Sequence, residues 1–269
     1  MCYNFPMKFN VVYNTDIQGY KEALNELEAI LIDKKIDFKS FELNHLEHYG
    51  DFTIAIGGDG TILKSSRFYS EYSIPVLGIN KGRLGFLSQA EMCNISDIVD
   101  MIIEGKYYTE DRLMLKSGDK LALNDFVIKG CDPVRTSKFY LEINGEGVCD
   151  YIADGLIIST PTGSTAYGLS AGGPVLYPTL DVLTIVPICP HTLNARPLVV
   201  PITEKISVKT SDKQLSLTAD GFVTTQCLDK INIEISDKKA KLAFVNNARF
   251  YTVLRDKLHW GISPTGHSN

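Results

Sequence analysis

The chain has 269 residues, a formal net charge of −5, 44% hydrophobic residues and 22% charged residues. This length predicts one large or two smaller domains, and this composition is typical of a folded globular protein and unlike that of a disordered chain. Because the charge is slightly acidic and no run of basic residues occurs, neither nucleic acid nor an anionic membrane surface is an expected partner.

The first hundred residues alternate between strand patterns and helix patterns. Apolar runs typical of strands lie at residues 7–14, 52–56 and 74–79. Helices are predicted at residues 20–35, 61–70 and 94–106. In the third helix Gly105 lies at the expected C-terminal cap, and one apolar stripe is predicted to comprise Ile95, Ile98, Val99, Ile102 and Ile103. Strands that alternate with helices indicate a mostly parallel sheet covered on both faces.

After about residue 105 the pattern changes to the alternation of apolar and polar residues that is typical of antiparallel strands. Such strands are predicted at residues 112–117, 120–130, 139–160, 205–210, 214–220 and 231–236. Within the third of these segments, Asn144-Gly145 is a hairpin-turn signal. Residues 105–245 are therefore expected to form an all-β sandwich of two packed sheets.

The last segment, residues 248–260, is helical again, with Phe250, Leu254 and Leu258 four residues apart. A single helix that follows a β domain needs a surface on which to bury its apolar face. We expect it to return to the α/β half, so that the first domain comprises residues 1–104 and 246–269.

Six cysteines are scattered along the chain, and none of them forms a CxxC pair. Together with the lack of an apolar segment long enough for a signal peptide or a spanning helix, this usage predicts free thiols in the cytoplasm. The five histidines show no spacing typical of metal ligands, so no metal site made by the protein alone is predicted.

A glycine-rich turn, GGDGT at residues 57–61, follows the second predicted strand. Ligands of parallel sheets bind beyond the carboxyl ends of the strands, and glycine amides before a helix suit phosphate. A carboxylate would repel phosphate, so Asp59 is interpreted as a base or as a holder of Mg²⁺. The turn is neither a Walker A loop nor a GxGxxG fingerprint, and the alternative is that Asp59 only caps the following helix.

Two further stretches have the composition of ligand-binding loops. The next predicted strand ends in a second glycine turn at residues 78–87, where Phe86 is expected either to stack on a base or to lie in the core. Residues 154–174 form a long series of Ser, Thr, Gly and Pro, whose hydroxyls and amides suit ribose or a carboxamide. Tyr167 could flank a flat group there, and a plain surface loop is the alternative.

The chain resembles the bacterial NAD kinases in five segments, which are GGDGT at 57–61, NKGRLGFL at 80–87, LND at 123–125, DGLIISTPTGSTAYGLSAGGP at 154–174 and PICPHTLNARPLVVP at 187–201. The resemblance implies an α/β N-terminal domain, an all-β sandwich C-terminal domain and a C-terminal helix that packs back on the first domain. It also implies that the 2′-hydroxyl of the adenosine ribose of NAD attacks the γ-phosphate of ATP to give NADP. Mg²⁺ is implied with the ATP, and the assembly implied is a homodimer or homotetramer.

The same resemblance implies which residues serve the reaction. Asp59 matches the acceptor of the hydroxyl proton, and the glycines around it face the phosphates. Asn124 and Asp125 match a pair that holds the ribose and nicotinamide side of NAD. The other residues placed in the substrate site are Gly57, Gly58, Gly60, Lys64, Phe86, Arg135, Asp154, Thr165, Ala166, Tyr167, Gly168, Leu169 and Ser170.

Three positions depart from the family pattern. Asp125 stands where Glu is usual, so its carboxylate reaches one methylene less far. Lys64 stands where Arg is more frequent, and a lysine cannot bind a phosphate in the bidentate geometry of an arginine. Ile152-Ala153 stands where some members carry an arginine, a change that would weaken discrimination between NAD and an already phosphorylated dinucleotide. His191 and Arg196 are interpreted as loop or subunit-contact residues rather than as catalysts.

Two other functions are kept as alternatives. A lipid kinase of the diacylglycerol or sphingosine type shares the GGDGT turn, yet the chain has no basic amphipathic segment for a membrane. The second alternative is a non-catalytic regulator that binds a dinucleotide. The complete GGDGT turn argues against this alternative, although the sequence leaves it open. An Asp59→Asn variant would separate this last alternative from a kinase.

Overall fold

The computed structural model describes residues 7–80, 85–88, 90–132, 135–192, 194–211, 214–245 and 250–258. The chain divides into two compact units. The first holds the chain up to Glu110 and again from Ala240, and the second comprises Asp111–Lys239. Within the described residues, no helix is both long enough and apolar enough to cross a membrane.

The secondary-structure elements follow one another in chain order. The first part of the chain forms β1 (Phe9–Tyr13), α1 (Tyr20–Asp33), β2 (Phe38–Glu42), β3 (Phe52–Ile56), α2 (Asp59–Tyr69), β4 (Val76–Asn80), β5 (Ala90–Glu91), α3 (Ile95–Ile103) and β6 (Tyr108–Arg112). The middle part forms β7 (Leu115–Ser117), β8 (Lys120–Ala122), β9 (Asp125–Gly130), β10 (Ser137–Ile143), β11 (Glu146–Ala153), β12 (Gly155–Ser159), α4 (Tyr167–Ser170), β13 (Val182–Ile188), β14 (Leu198–Pro201), β15 (Ile206–Thr210), β16 (Leu215–Ala219), β17 (Val223–Leu228) and β18 (Lys230–Ile235). The last part forms β19 (Ala240–Phe244) and α5 (Phe250–Leu258).

The first unit is built on a sheet with the strand order β2-β1-β3-β4-β19-β6, and β5 pairs with β4 outside this path. The pairs of β1 with β2 and β3, of β3 with β4, and of β4 with β5 and β19 are all parallel. The prediction of an α/β domain with a mostly parallel sheet is therefore confirmed.

Helices cover both faces of this sheet. On one face, Leu27 of α1 and Val99 of α3 share a core with Leu77 of β4. Successive residues of a strand point to opposite faces, so the residue after Leu77 faces the other side. That residue is Gly78, where a Cβ would lie 2.6 Å from Cγ1 of Ile62 on α2. Glycine at this position therefore allows α2 to lie close against the sheet.

Two predicted helix patterns are partly wrong. Gly105 follows α3 with a φ of 68°, as a C-terminal cap requires. Ile103, however, is 49% exposed, so the buried stripe of α3 ends at Ile102. Adjacent helix residues lie about 100° apart, which turns Ile103 away from the core. In α5 Leu254 is buried, whereas Leu258 at the helix end is 37% exposed.

The second unit is a sandwich of two six-stranded sheets, with the strand orders β11-β10-β15-β18-β7-β8 and β14-β13-β12-β9-β16-β17. The strand pairs within both sheets are antiparallel. One core lies between them and includes Phe126, Phe139 and Ile233. Asn144 and Gly145 join β10 to β11 with φ values of 52° and 85°, as the predicted hairpin turn requires. The predicted all-β sandwich is confirmed.

The unit boundaries differ from the predicted ones. The sandwich was expected at residues 105–245, whereas the second unit comprises Asp111–Lys239. β6 and β19 account for the difference, because both strands join the sheet of the first unit. The segment predicted as one strand at 120–130 is interrupted at Leu123-Asn124 and forms both β8 and β9. The C-terminal helix α5 belongs to the first unit.

Candidate functional site

The glycine turn at residues 57–61 lies between β3 and α2, at the carboxyl end of a central strand of the first sheet. The N–H of Gly57 donates to the carbonyl oxygen of Ile79 at 2.8 Å, which joins the turn to the end of β4. Gly57 has a φ of 157°, and a Cβ there would lie 2.7 Å from Cβ of Thr61. Both the backbone conformation and the close approach of Thr61 therefore favour glycine.

The other two glycines of the turn flank Asp59 at the start of α2. Gly58 immediately precedes the helix, and Gly60 is its second residue. The first N–H groups of a helix have no partner inside the helix and attract anions. A Cβ on Gly58 would meet no atom of the described chain within 4 Å, so the space beside the turn is open. The turn can therefore receive a phosphate group.

The carboxylate of Asp59 is held by the backbone of the second glycine turn. Oδ2 accepts the N–H of Phe86 at 2.9 Å, while Oδ1 accepts those of Leu87 at 3.1 Å and Ser88 at 3.3 Å. The N-cap of α2 is Gly58, and no side chain forms a capping bond there. Asp59 therefore does not cap its own helix, and the two glycine turns predicted from the sequence are in direct contact.

Of two other predicted site residues in the described part of the first unit, Phe86 contacts Asp59 and Lys64 does not. Phe86 contacts Asp59 through its backbone, and the residue is half-buried. Lys64, about one and a half turns along α2, donates from Nζ to Oδ1 of Asn44 at 2.6 Å. Within the described chain no contact joins this ammonium group to Asp59. Residues 81–84 of the NKGRLGFL segment lie outside the described residues.

In the second unit, Asp220 holds the segment that carries Asn124 and Asp125. Oδ1 of Asp220 accepts the N–H of Asn124 at 2.7 Å and that of Asp125 at 3.2 Å, and Oδ2 accepts the N–H of Leu123 at 3.0 Å. These bonds hold the chain at the interruption between β8 and β9, two strands that belong to different sheets. Sequence reasoning missed Asp220, whose usable signal was the hairpin pair Asp220-Gly221, with φ values of 50° and 73°.

Asp125 is a buried acid, with only 4% of its surface exposed. Burial is the main cause that raises the pKa of its carboxyl group to about 7, and the nearby carboxylate of Asp220 contributes to the same rise. Near neutral pH the group is divided between an acceptor-only carboxylate and an acid that can also donate. It can therefore bind a ligand hydroxyl in either direction.

The loop at residues 160–170 packs onto Asn124. The carbonyl oxygen of Asn124 accepts the N–H of Thr160 at 2.9 Å and the hydroxyl of Ser159 at 3.2 Å. Gly163 lies so close that a Cβ on it would be 2.6 Å from Cα of Asn124, so any larger residue would separate the two segments. The structure thus brings together two segments that were predicted to bind the substrate.

Beyond Gly163 the loop presents an aromatic ring and polar groups. A 3₁₀ turn at Thr162–Thr165 leads into the short helix α4, which comprises Tyr167, Gly168, Leu169 and Ser170. Tyr167 is 41% exposed, whereas Ala166 is half-buried. In the described part of the chain, the buried hydroxyl of Thr162 has no hydrogen-bond partner. A loop with an open ring and an unpaired hydroxyl suits a ligand that is both flat and polar.

Two predicted site residues of the second unit lie apart from these contacts. Asp154 is exposed at the corner between β11 and β12, where its N–H donates to the carbonyl oxygen of Ile188 at 2.9 Å. Arg135 is exposed and forms an ion pair with Asp132 at 3.8 Å. Among the described residues, no contact joins either side chain to Asn124.

The donor set of the site suits a metal that arrives with a phosphate ligand. In the described residues, His, Cys, Asp and Glu side chains form no group of three that could hold a metal ion. Mg²⁺ is commonly bound by one or two carboxylates together with phosphate oxygens of the substrate. The open space beside Gly58 would admit such an ion together with the substrate, with the phosphates supplying most of its ligands.

Comparisons with known proteins agree over nearly the whole chain. The family model for the ATP-NAD kinase N-terminal domain matches residues 5–107, and that for the ATP-NAD kinase C-terminal domain matches residues 123–246. An NAD kinase of Thiobacillus denitrificans is 38% identical over 237 residues, which cover 84% of this chain and 82% of that protein.

Solved structures give the same result for the fold. The crystal structure of an NAD kinase from Archaeoglobus fulgidus in complex with ATP has a TM-score of 0.79 and 29% identity, covering 94% of this chain and 99% of that one. Yeast NADH kinase complexed with NADH has a TM-score of 0.82 and 23% identity, covering 97% of this chain and 90% of that one. At this lower identity the yeast protein is evidence for the fold alone.

Proposed function

The chain belongs to the NAD kinase family, and from this membership we propose how its residues carry out the reaction. The protein is a phosphotransferase that acts on NAD. It transfers the γ-phosphate of ATP to the 2′-hydroxyl of the adenosine ribose and gives NADP and ADP. A lipid kinase or a non-catalytic regulator is not favoured, because ATP-NAD kinase models match both halves of the chain.

Asp59 is the base that accepts the proton of the attacking hydroxyl. The observation that carries this role is the fixed position of its carboxylate, which three N–H groups hold at the start of a helix suited to phosphate. A base held beside the phosphate site can act on the hydroxyl that attacks the phosphate. Gly57, Gly58 and Gly60 give the phosphates access to backbone amides, and Lys64 adds positive charge on the same helix.

NAD is bound mainly by the second unit. Asn124, Asp125 and the loop at residues 160–170 support this role, because they form one contiguous set of polar groups. Asp125, with a pKa near neutrality, accepts from or donates to a ribose hydroxyl. Thr165 to Ser170 supply amides, hydroxyls and the exposed ring of Tyr167. Further contacts inferred from the family resemblance come from Phe86, Arg135 and Asp154.

Mg²⁺ acts with ATP rather than as a resident ion of the protein. Phosphoryl transfer depends on placing the reactants in line and neutralising charge on the transferred group, and the metal supplies part of that charge. The family resemblance supports a homodimer or homotetramer, and the scattered cysteines support a cytoplasmic location.

The proposed role of Asp59 is tested by incubating purified protein with NAD, ATP and Mg²⁺. NADP is measured with a dehydrogenase that accepts only the phosphorylated cofactor. We expect Asp59→Asn to reduce turnover by about 10³-fold while NAD binding is retained. Asp119→Asn, at a side chain that is 90% exposed, is the matched control and should keep the wild-type rate.

Two other results of this assay would change the assignment. Wild-type turnover by Asp59→Asn would remove Asp59 from the role of base. NADP formed with inorganic polyphosphate but not with ATP would change the phosphoryl donor.

A further inference from the structure

The carboxylate of Asp59 has one acceptor position left within the described chain. An ionised carboxylate offers about four lone-pair positions, two on each oxygen. Oδ1 accepts two N–H groups, those of Leu87 and Ser88, whereas Oδ2 accepts one, that of Phe86. The remaining position is on Oδ2, so this atom can take a proton from a hydroxyl.

Gly85 determines how closely the second turn approaches this carboxylate. The residue is buried, and a Cβ on it would lie 2.6 Å from Oδ2 of Asp59 and closer still to Oδ1. Its φ lies outside the left-handed range, so the requirement for glycine here is one of space and not of backbone conformation. Alanine at position 85 must therefore displace either the carboxylate or the turn.

Ser88 closes the turn on itself. Its N–H donates to Oδ1 of Asp59, and its hydroxyl oxygen accepts the N–H of Gly85. Ser88 is fully buried, with 0% of its surface exposed. Without the hydroxyl, the N–H of Gly85 would lack a partner in a place that water does not reach, which is costly. Ser88 therefore stabilises the conformation that presents three amides to Asp59.

We propose that residues 85–88 form a carboxylate clip in which Gly85 and Ser88 are positioning residues for proton transfer. This proposal rests on the proposed role of Asp59 as the base. The clip prevents rotation of the carboxylate and leaves Oδ2 as the proton acceptor. When the O–H bond of the 2′-hydroxyl breaks, the proton goes to Oδ2 and the hydroxyl oxygen bonds to the γ-phosphorus. The bond from that phosphorus to the β,γ-bridging oxygen breaks, and ADP leaves with the electron pair.

The clip is tested by single-turnover phosphorylation of NAD in the full-length variants Gly85→Ala, Ser88→Ala and Ser88→Thr, with NAD affinity measured on each. Gly85→Ala should slow the transfer about 100-fold, because misplacing a reacting group by about 1 Å has effects of that size. Ser88→Ala should slow it about tenfold, and Ser88→Thr, which keeps the hydroxyl, should recover most of the rate. The dissociation constant for NAD should stay within about twofold of the wild-type value in all three, because neither Gly85 nor Ser88 is among the residues proposed to contact NAD.

Two matched variants control for the substitutions themselves. Gly147→Ala adds a Cβ on β11 at a position with nothing within 4 Å. Ser66→Ala removes a buried hydroxyl that has no partner among the described residues. Both should retain the wild-type transfer rate.

Wild-type transfer rates in folded Gly85→Ala and Ser88→Ala would overturn the clip. Variants that bind NAD more weakly but transfer phosphate at the wild-type rate once NAD is bound would also overturn it. If circular dichroism shows that Gly85→Ala does not fold, the test depends on the two Ser88 variants. The proposal is then overturned if Ser88→Thr transfers phosphate no faster than Ser88→Ala. Asp59→Asn separates this failure from that of the base assignment. If only the clip is wrong, Asp59→Asn is still inactive, whereas an active Asp59→Asn means that the base is wrong.

Discussion

Burial of Asp125 links the stability of the second unit to pH. Its pKa is about 7 in the folded protein against an ordinary value of 3.8, so at intermediate pH the folded state keeps a proton that the unfolded state releases. The resulting stabilisation is complete below the ordinary pKa and is lost as pH rises through about 7. Between pH 5 and pH 8 we expect this group to lower the free energy of unfolding by about 2–3 kcal/mol.

Asp125→Asn should remove this dependence, because an amide does not titrate. Urea unfolding at a series of pH values should show the wild type becoming less stable relative to the variant as pH rises. Asp229→Asn, at an exposed position, is the control and should keep the wild-type slope. Equal slopes for the wild type and Asp125→Asn would contradict the raised pKa of Asp125.

The two carboxylates that hold backbone segments were not equally predictable. Asp59 lies in a glycine turn directly after an apolar strand, so the local sequence was enough to single it out. Asp220 accepts N–H groups from residues 95 to 97 positions earlier in the chain. Local pattern carries no information about a pairing at that distance, and the Asp-Gly pair indicated only a turn. The contact therefore became visible only in the folded chain.

At the scale of elements, burial decided what could be predicted. β3 is buried along its whole length and is wholly apolar apart from Thr53, so it was recognised. β2 lies at the edge of the same sheet with mostly half-buried or exposed residues, and its sequence FKSFE gave no usable pattern. β19 is strongly apolar, but its residues do not reveal which strand it pairs with. In the structure, Leu242 of β19 lies opposite Val76 of β4.

Asn10 fixes the chain immediately before β3. Its side-chain amide donates to the carbonyl oxygen of Gly50 at 3.2 Å and to the hydroxyl of Thr53 at 3.1 Å, and its Oδ1 accepts the N–H of Gly50 at 2.8 Å and that of Tyr49 at 3.1 Å. Asn10 is 0% exposed, so alanine would leave these backbone groups without partners. We expect Asn10→Ala to lower the free energy of unfolding by about 3 kcal/mol, measured by urea denaturation.

The control for this prediction is Asn232→Ala on β18. The side chain of Asn232 accepts a hydrogen bond from Ser207 at 2.7 Å on an exposed face of the sandwich. Its loss should change the free energy of unfolding by about 0.5 kcal/mol or less. Similar losses in the two variants would show that the Asn10 network contributes no more than a surface bond.

At the scale of the whole molecule, the first unit is discontinuous in sequence and the second is continuous. β19 lies between β4 and β6 in the first sheet, and Ala243 belongs to the core that contains Phe9 and Phe52. The core of the second unit is made by buried residues between Leu115 and Ile233. The chain therefore inserts a complete sandwich between two neighbouring strands of one sheet.

This arrangement predicts that the two units differ as isolated fragments. Residues 111–239 retain every strand of the sandwich and its core, so we expect this fragment to show β-type circular dichroism and cooperative unfolding in urea. Residues 1–110 lack β19, which leaves β4 and β6 without the strand between them and opens the core at Ala243. We expect that fragment not to unfold cooperatively.

Restoring β19 should rescue the first unit. The ring of Tyr108 stacks on that of Phe244 with centroids 5.1 Å apart, and Nζ of Lys239 lies 4.0 Å from Oδ2 of Asp111. The end of β6 is thus beside the start of β19, and a linker of about four residues can join residue 111 to residue 239 as a hairpin. Leu242→Asp in this linked chain is the control, because Leu242 is 1% exposed and a buried unpaired charge should prevent folding. Cooperative unfolding of residues 1–110 alone would contradict the role of β19 as an interior strand. Cooperative unfolding of the linked chain that carries Leu242→Asp would contradict it too.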